Sequence, residues 1–241
     1  MRRGFSFGRI SRVGILWFHV GLVLAVAPVG GFAFESLGPE FYPLELERRT
    51  ERMMNPRRDE ERKPDQVVAA LGLAPGQVVA DIGSGPGYFA LHFARAVTPG
   101  GRVYGVDIEP RFVDELRKRA ADSGLTNVVP VLTTPGTSGL PAASCDLAFF
   151  FSVYSHIKDR VGYLRELQTK LRSGGRVAII EYKKIATLDE DKRSRTRIGP
   201  PEDKKIDPEQ VVRELNEAGF VVLDSPKFLT YHFFLVAGTR D

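Results

Sequence analysis

The chain of 241 residues predicts a doubly wound α/β fold: a mostly parallel, Rossmann-like sheet with helices on both faces and an antiparallel strand pair at its C-terminal end. Three observations carry this. From residue 65 onward, short apolar runs rich in β-branched and aromatic residues alternate with stretches of helical period, the pattern of a parallel sheet built from βαβ units. The first of those runs, Val78–Ile82, contains Asp81 near its end and is followed by glycines at 83, 85 and 87, in the order strand, tight turn, helix start. The last two runs are separated by too few residues for a parallel crossover and must pair antiparallel.

Taken in order, Asp65–Leu71 reads as a short helix stopped by Gly72, and Pro75-Gly76 turns the chain into the first strand. Gly83, Gly85 and Gly87 permit positive φ and close approach of a ligand to the backbone, while the helix Tyr88–Ala96 behind them offers unpaired N–H groups. The spacing is not that of a dinucleotide fingerprint, whose third glycine would fall where Tyr88 stands, and the Gly-Lys-Ser/Thr ending of a phosphate loop is missing. Thr98-Pro99-Gly100-Gly101 leads into a second strand, Arg102–Asp107, whose terminal carboxylate suits the two neighbouring hydroxyls of a ribose. A helix over Arg111–Ser123 puts Phe112, Leu116 and Ala120 on one face. Val128–Leu132 is a third strand, and Asp146–Phe151 a fourth whose lack of alternation predicts burial on both faces. Next come a helix over Arg160–Leu171, a stop at Ser173-Gly174-Gly175 and a strand Arg176–Glu181. A helix Pro208–Ala218 precedes the closing strands Phe220–Leu223 and Tyr231–Ala237.

Residues 1–33 do not fit that domain. Arg2, Arg3, Arg9 and Arg12 precede an apolar stretch from Val13 to Phe34, interrupted by His19 and Pro28, and Gly31-Phe32-Ala33 offers a small-x-small site. This is the layout of a secretory signal peptide cleaved after about Ala33. An uncleaved membrane anchor is the alternative, the run being close to the ~20 residues that span a bilayer. The arginines set the N-terminus inside and send the domain outward, so the expectation is an exported domain, or a membrane-anchored one touching the membrane only through this segment. The same arginines account for the whole formal charge of +4, which removes charge as an argument for a nucleic-acid partner. Cys145, the single cysteine, permits no internal disulfide. Residues 34–64 form a charged arm. It is either a flexible linker or a segment folded over the domain, with Met53 and Met54 available to pack there. The domain proper is 65–241.

Asp81-x-Gly83-x-Gly85-x-Gly87 together with Val106-Asp107-Ile108-Glu109-Pro110 resembles the first two motifs of the class I S-adenosylmethionine-dependent methyltransferases. The closing strand pair and Leu171-Arg172-Ser173-Gly174-Gly175-Arg176-Val177 are similar to the same family, with Ser173 where proline is commoner. The nearest likeness is to the small-molecule methyltransferases of ubiquinone-biosynthesis type. The resemblance implies S-adenosylmethionine as cofactor, held by Asp81, Gly83, Gly85, Gly87, Asp107 and Ile108, and an unidentified small-molecule acceptor. The aspartate that usually receives adenine after the third strand is missing from Leu132-Thr133-Thr134-Pro135-Gly136, which leaves Thr134, backbone groups and apolar packing to hold the base. Of the family's two adjacent histidines after the fourth strand only His156 stands here.

Tyr154 and His156 follow that strand, where the crevice of such a sheet opens, so at least one is expected to face the transferred methyl. Histidine can take a proton near neutral pH and Tyr154 can orient an acceptor oxygen; the bland alternative is that His156 caps or packs the next helix. The four histidines, His19, His92, His156 and His232, are dispersed, and no metal site is expected. Tyr182–Ile206, with Lys183, Lys184, Lys192, Arg193, Arg195 and Arg197, is a solvated loop or a lid for an acidic substrate. The departures from the family pattern keep open a noncatalytic protein that retains the fold and the cofactor.

Overall fold

The computed structural model describes Met1, residues 42–184 and residues 199–239. The proposed signal or anchor, Lys192, Arg193, Arg195 and Arg197 lie outside the described residues. Among those residues no helix is long and apolar enough to cross a membrane.

The apolar runs become seven strands: β1 (Val78–Ile82), β2 (Arg102–Asp107), β3 (Val128–Leu132), β4 (Cys145–Phe151), β5 (Leu171–Tyr182), β6 (Phe220–Asp224) and β7 (His232–Thr239). They form one sheet in the order β3-β2-β1-β4-β5-β7-β6. The first five strands pair in parallel, and β7 runs antiparallel to both β5 and β6. Strand order therefore reverses between β1 and β4, and the crevice that such a reversal opens lies beyond Ile82 and Phe151.

The helices are α1 (Tyr42–Met54), α2 (Asp59–Arg62), α3 (Pro64–Leu71), α4 (Tyr88–Ala96), α5 (Pro110–Asp122), α6 (Arg160–Gln168) and α7 (Pro208–Glu217). One core, with Phe89, Phe93, Leu116, Phe149 and Ile180, packs α3, α4 and α5 on the sheet; the other, with Phe150, Leu164, Ile179, Val211 and Leu215, packs α6 and α7. Neighbouring Phe149 and Phe150 enter opposite cores and are both fully buried, as the unbroken apolar run of β4 predicts. Burial of each such ring stabilises by about 1.5–3 kcal/mol.

The structure differs from the sequence expectation around residue 170. The helix ends at Gln168, where the Thr169 hydroxyl donates to the Glu166 carbonyl at 2.7 Å, and Leu171 already belongs to β5, paired with Cys145. Between Leu171 and Arg176 the strand bulges, Gly174 taking φ 74°. The Ser-Gly-Gly segment is an interruption within the strand and not the stop of a helix.

The charged arm is a packed part of the domain from residue 42 onward. Met54 joins the core beneath α3 and α4. Arg58 donates to the Tyr182 hydroxyl at 2.8 Å, that hydroxyl donates to Glu61 at 3.0 Å, and Lys63 reaches the Phe228 carbonyl at 2.9 Å. Arg62, 5% exposed, lies 4.3 Å from the ring centre of Tyr88 and donates to the Met53 carbonyl. A charge so enclosed needs such partners, and they tie α1 and α2 to the start of α4.

Candidate active site

The glycine loop is stitched to β2. The N–H groups of Gly83 and Ser84 both donate to the Val106 carbonyl, at 2.8 and 3.0 Å, and Gly85 N–H donates to Asp107 Oδ2 at 2.8 Å. The other Asp107 oxygen accepts Glu109 N–H at 2.9 Å. Burial raises the Asp107 carboxyl, against the pull of those N–H groups. The Ile108 N–H bears on the same carboxyl, so of its roughly four acceptor sites about one is left to face a ribose hydroxyl.

The three glycines have different reasons to be glycine. A Cβ on Gly83, at φ 66°, would lie 2.4 Å from Val153 Cγ2, and one on Gly87, at φ 97°, would lie 2.3 Å from Leu116 Cδ1. At both positions the space a Cβ would take is filled by the protein's own packing, so glycine is required there whatever the loop binds. Only Gly85 directs its missing Cβ toward the arm, 3.3 Å from Met53 Sδ. Asp81 is 3% exposed, accepts the Ala90 N–H inside α4, and has its carboxyl pushed up to about 8, first by burial. That hydrogen bond ties the end of β1 to the first turn of α4.

At the carboxyl ends of β2 and β3, Ile108 and Leu132 are 56% and 54% exposed, large apolar side chains with little cover. Leu132 is the register partner of Asp107 on the neighbouring strand, and Thr134 is exposed two residues on. A carboxylate for a ribose between two apolar flanks for a planar base fits an adenosine. Sequence reasoning missed Leu132; its signal was an apolar residue ending a strand where the crevice opens.

Beyond β4 a 3-10 turn, Tyr154–His156, leads to α6. Tyr154 cannot orient an acceptor: its ring is fully buried, edge-on to Phe150 at 5.7 Å, and its hydroxyl donates to Glu214 at 2.9 Å. His156 is exposed, in the wall of a cleft of about 200 Å³ shared with Ser155, Arg160, Lys204, Ile206 and Gln210. Partial desolvation, then Arg49 and Lys204, hold its pKa down, so the imidazole is neutral at neutral pH. A somewhat larger hollow of about 230 Å³ beside Arg117, Gly124 and Val128 lies at the amino end of β3, away from this chemistry.

A Rossmann-like sheet closed by an antiparallel pair, with a glycine loop and a ribose-type carboxylate at its switch point, defines a methyltransferase fold. Residues 80–179 match the family described as methyltransferase domain, and the fold is the one that class I S-adenosylmethionine-dependent methyltransferases share. It is 36% identical over 85 residues to aklanonic acid methyltransferase DauC of Streptomyces sp. (strain C5), a match over 35% of this chain and 39% of that one. The match thus spans about two fifths of that relative's length. Among solved structures, a SAM-dependent methyltransferase from Aquifex aeolicus superposes with a TM-score of 0.72 at 24% identity, over 80% of this chain and 97% of that one. Magnesium protoporphyrin IX methyltransferase (ChlM) from Synechocystis PCC 6803, with bound SAH, gives 0.62 at 19%, over 83% and 97%. The cofactor of this family is S-adenosylmethionine. The residues in place fit it at the adenosine end: Asp107 would hold the ribose, with Ile108, Leu132 and Thr134 about the base.

Proposed function

We propose that this chain transfers the methyl group of S-adenosylmethionine to a small-molecule acceptor bound in the cleft beside His156. The observation that carries this is the pairing of an adenosine-type site at the ends of β2 and β3 with an open cleft of about 200 Å³ beyond β4, across one switch point. The relative whose name specifies aklanonic acid supports a small organic acceptor. Bound S-adenosylmethionine supplies an electrophilic methyl on a sulfonium sulfur. The chain's own contribution is then to orient the acceptor and exclude water, because in-line methyl transfer depends chiefly on position. Neutral His156 donates or accepts one hydrogen bond to the acceptor, and the arm covers the glycine loop.

Two measurements test this. Calorimetry on the Asp107→Ala variant should show cofactor affinity falling roughly ten- to a hundredfold, the loss of a charge-assisted contact of about 1.5–3 kcal/mol; unchanged affinity would remove Asp107 from the site. With methyl-labelled cofactor and a small-molecule extract, label should pass to an acceptor, and His156→Ala should slow that transfer about tenfold, the worth of one hydrogen bond, at unchanged cofactor affinity. Cofactor binding with no transfer of label would leave the noncatalytic reading in its place.

A further inference from the structure

Behind the wall of the cleft, at the end of β5, lies a carboxylate to which nothing above assigns a task. Glu181 is 2% exposed, and it forms no ion pair among the described residues. Its Oε1 accepts Ser155 N–H at 3.1 Å and its Oε2 lies 3.4 Å from Ser155 Oγ. Ser155 in turn lines the cleft beside His156. A buried carboxylate thus stands one hydroxyl away from the acceptor's space.

We propose that Glu181, acting through Ser155 Oγ, takes the proton from a hydroxyl-bearing acceptor in this cleft, so that the reaction is an O-methylation. The inference rests on the methyltransferase reading. As the acceptor's oxygen–methyl bond forms and the sulfur–methyl bond breaks, the hydroxyl proton passes to Ser155 Oγ while the serine's own proton passes to Glu181. The products are a neutral ether, a neutral thioether and a protonated Glu181, which then releases its proton to water. Ser155 touches the acceptor; Glu181 acts through it.

The surrounding charges favour Glu181 over His156 as the proton's destination. Partial desolvation, then Arg49 and Lys204, hold His156 weakly basic. The other cations of the cleft are engaged: Arg160 with Glu214 at 2.7 Å, Lys205 with Glu202, Lys204 with Asp203 at 3.9 Å. Tyr154, on the same turn as Ser155, commits its hydroxyl to Glu214. Glu181 therefore feels chiefly its own burial, which pushes its carboxyl up to about 7 against the hydrogen bonds from Ser155, Tyr154 and Tyr182. A base poised at that value matches proton transfer at neutral pH. The contact to Ser155 Oγ is long without ligand, as catalytic hydrogen bonds often are before substrate tightens them.

The test has one arm that needs no turnover. In protein with 13C-labelled glutamate carboxyls, saturated with S-adenosylhomocysteine, one resonance should titrate with a midpoint near 7 and vanish in Glu181→Gln. A midpoint below about 5.5 would overturn the proposal whether or not any probe is methylated. The second arm uses phenol and thiophenol as probes with S-adenosylmethionine. Phenol turnover should fall about a hundredfold in both Glu181→Gln and Ser155→Ala and lose its acidic limb, while Glu181→Asp recovers part of both; thiophenol, ionised near neutral pH, should be little affected. Equal losses on both probes would return Glu181 to a packing role. Failure of calorimetric cofactor binding in the unmodified protein would instead remove the methyltransferase reading itself.

Discussion

Gly83→Ala is expected to destabilise the domain by about 3 kcal/mol and to abolish measurable cofactor binding. Two separate penalties meet there. An alanine at φ 66° is strained by roughly 1 kcal/mol, and its Cβ would stand 2.4 Å from Val153 Cγ2 and 2.9 Å from Val153 Cβ, an overlap that overpacking data put at about 1–3 kcal/mol. Val153 leads directly into the turn that carries Ser155 and His156, so relief of the overlap displaces the acceptor side as well. Gly76→Ala is the control: it has a similar φ of 88° and nothing within 4 Å of the new carbon, so it should lose only the backbone share. Urea denaturation of both variants, with calorimetry, decides the matter. Equal losses in the two would mean that the contact with Val153 relaxes without consequence.

Asp81→Asn is expected to stabilise the protein by about 2–4 kcal/mol at pH 8.5 and to have almost no effect near pH 4. The Asp81 carboxyl titrates at about 8 in the fold against 3.8 unfolded, first because of burial and last because of Asp107 nearby. A carboxyl whose folded pKa is raised binds its proton more tightly in the native state. Its stabilising contribution is complete below the unfolded value and is lost as pH rises through the folded one, at up to about 1.4 kcal/mol per unit of pH. Asparagine keeps an oxygen for the Ala90 N–H and carries no charge to bury. Denaturation curves at the two pH values would show it; a variant less stable than the parent at pH 8.5 would mean that the ionised form is the one the fold holds.

The fold was legible because its strands and helices announce themselves through period, and because a short closing connection leaves only an antiparallel pair. The β5 bulge was not, since Ser173-Gly174-Gly175 reads as a helix stop to any local rule and is overridden by the pairing of Leu171 with Cys145. At the site, Asp107 was assigned from chemistry at a strand end and Ile108 from the family resemblance, and the structure sets both at the carboxyl end of β2. Tyr154 and Asp81 were assigned by position along the chain, which says nothing about direction; one points into the α6–α7 core and the other under α4. Glu181 was invisible in sequence for the same reason: only the pairing of β5 beside β4 brings it beneath Ser155. The arm's docking depends on contacts such as Arg58 with Tyr182, which local pattern cannot foresee.

The reversal of strand order between β1 and β4 also governs how such a molecule reaches its native state. β1, β2 and β3 are consecutive and can associate over short loops, whereas β1 meets β4 only by bringing Val79 to Leu147 around all of that intervening chain. Loop-closure entropy sets such distant pairing after the local ones. Asp107 and the glycine loop belong to the early half; Ser155 and Glu181 belong to the late half. The cofactor's cradle is thus built mostly from contacts near in sequence and the acceptor's from distant ones, with Gly83 against Val153 as the joint between them.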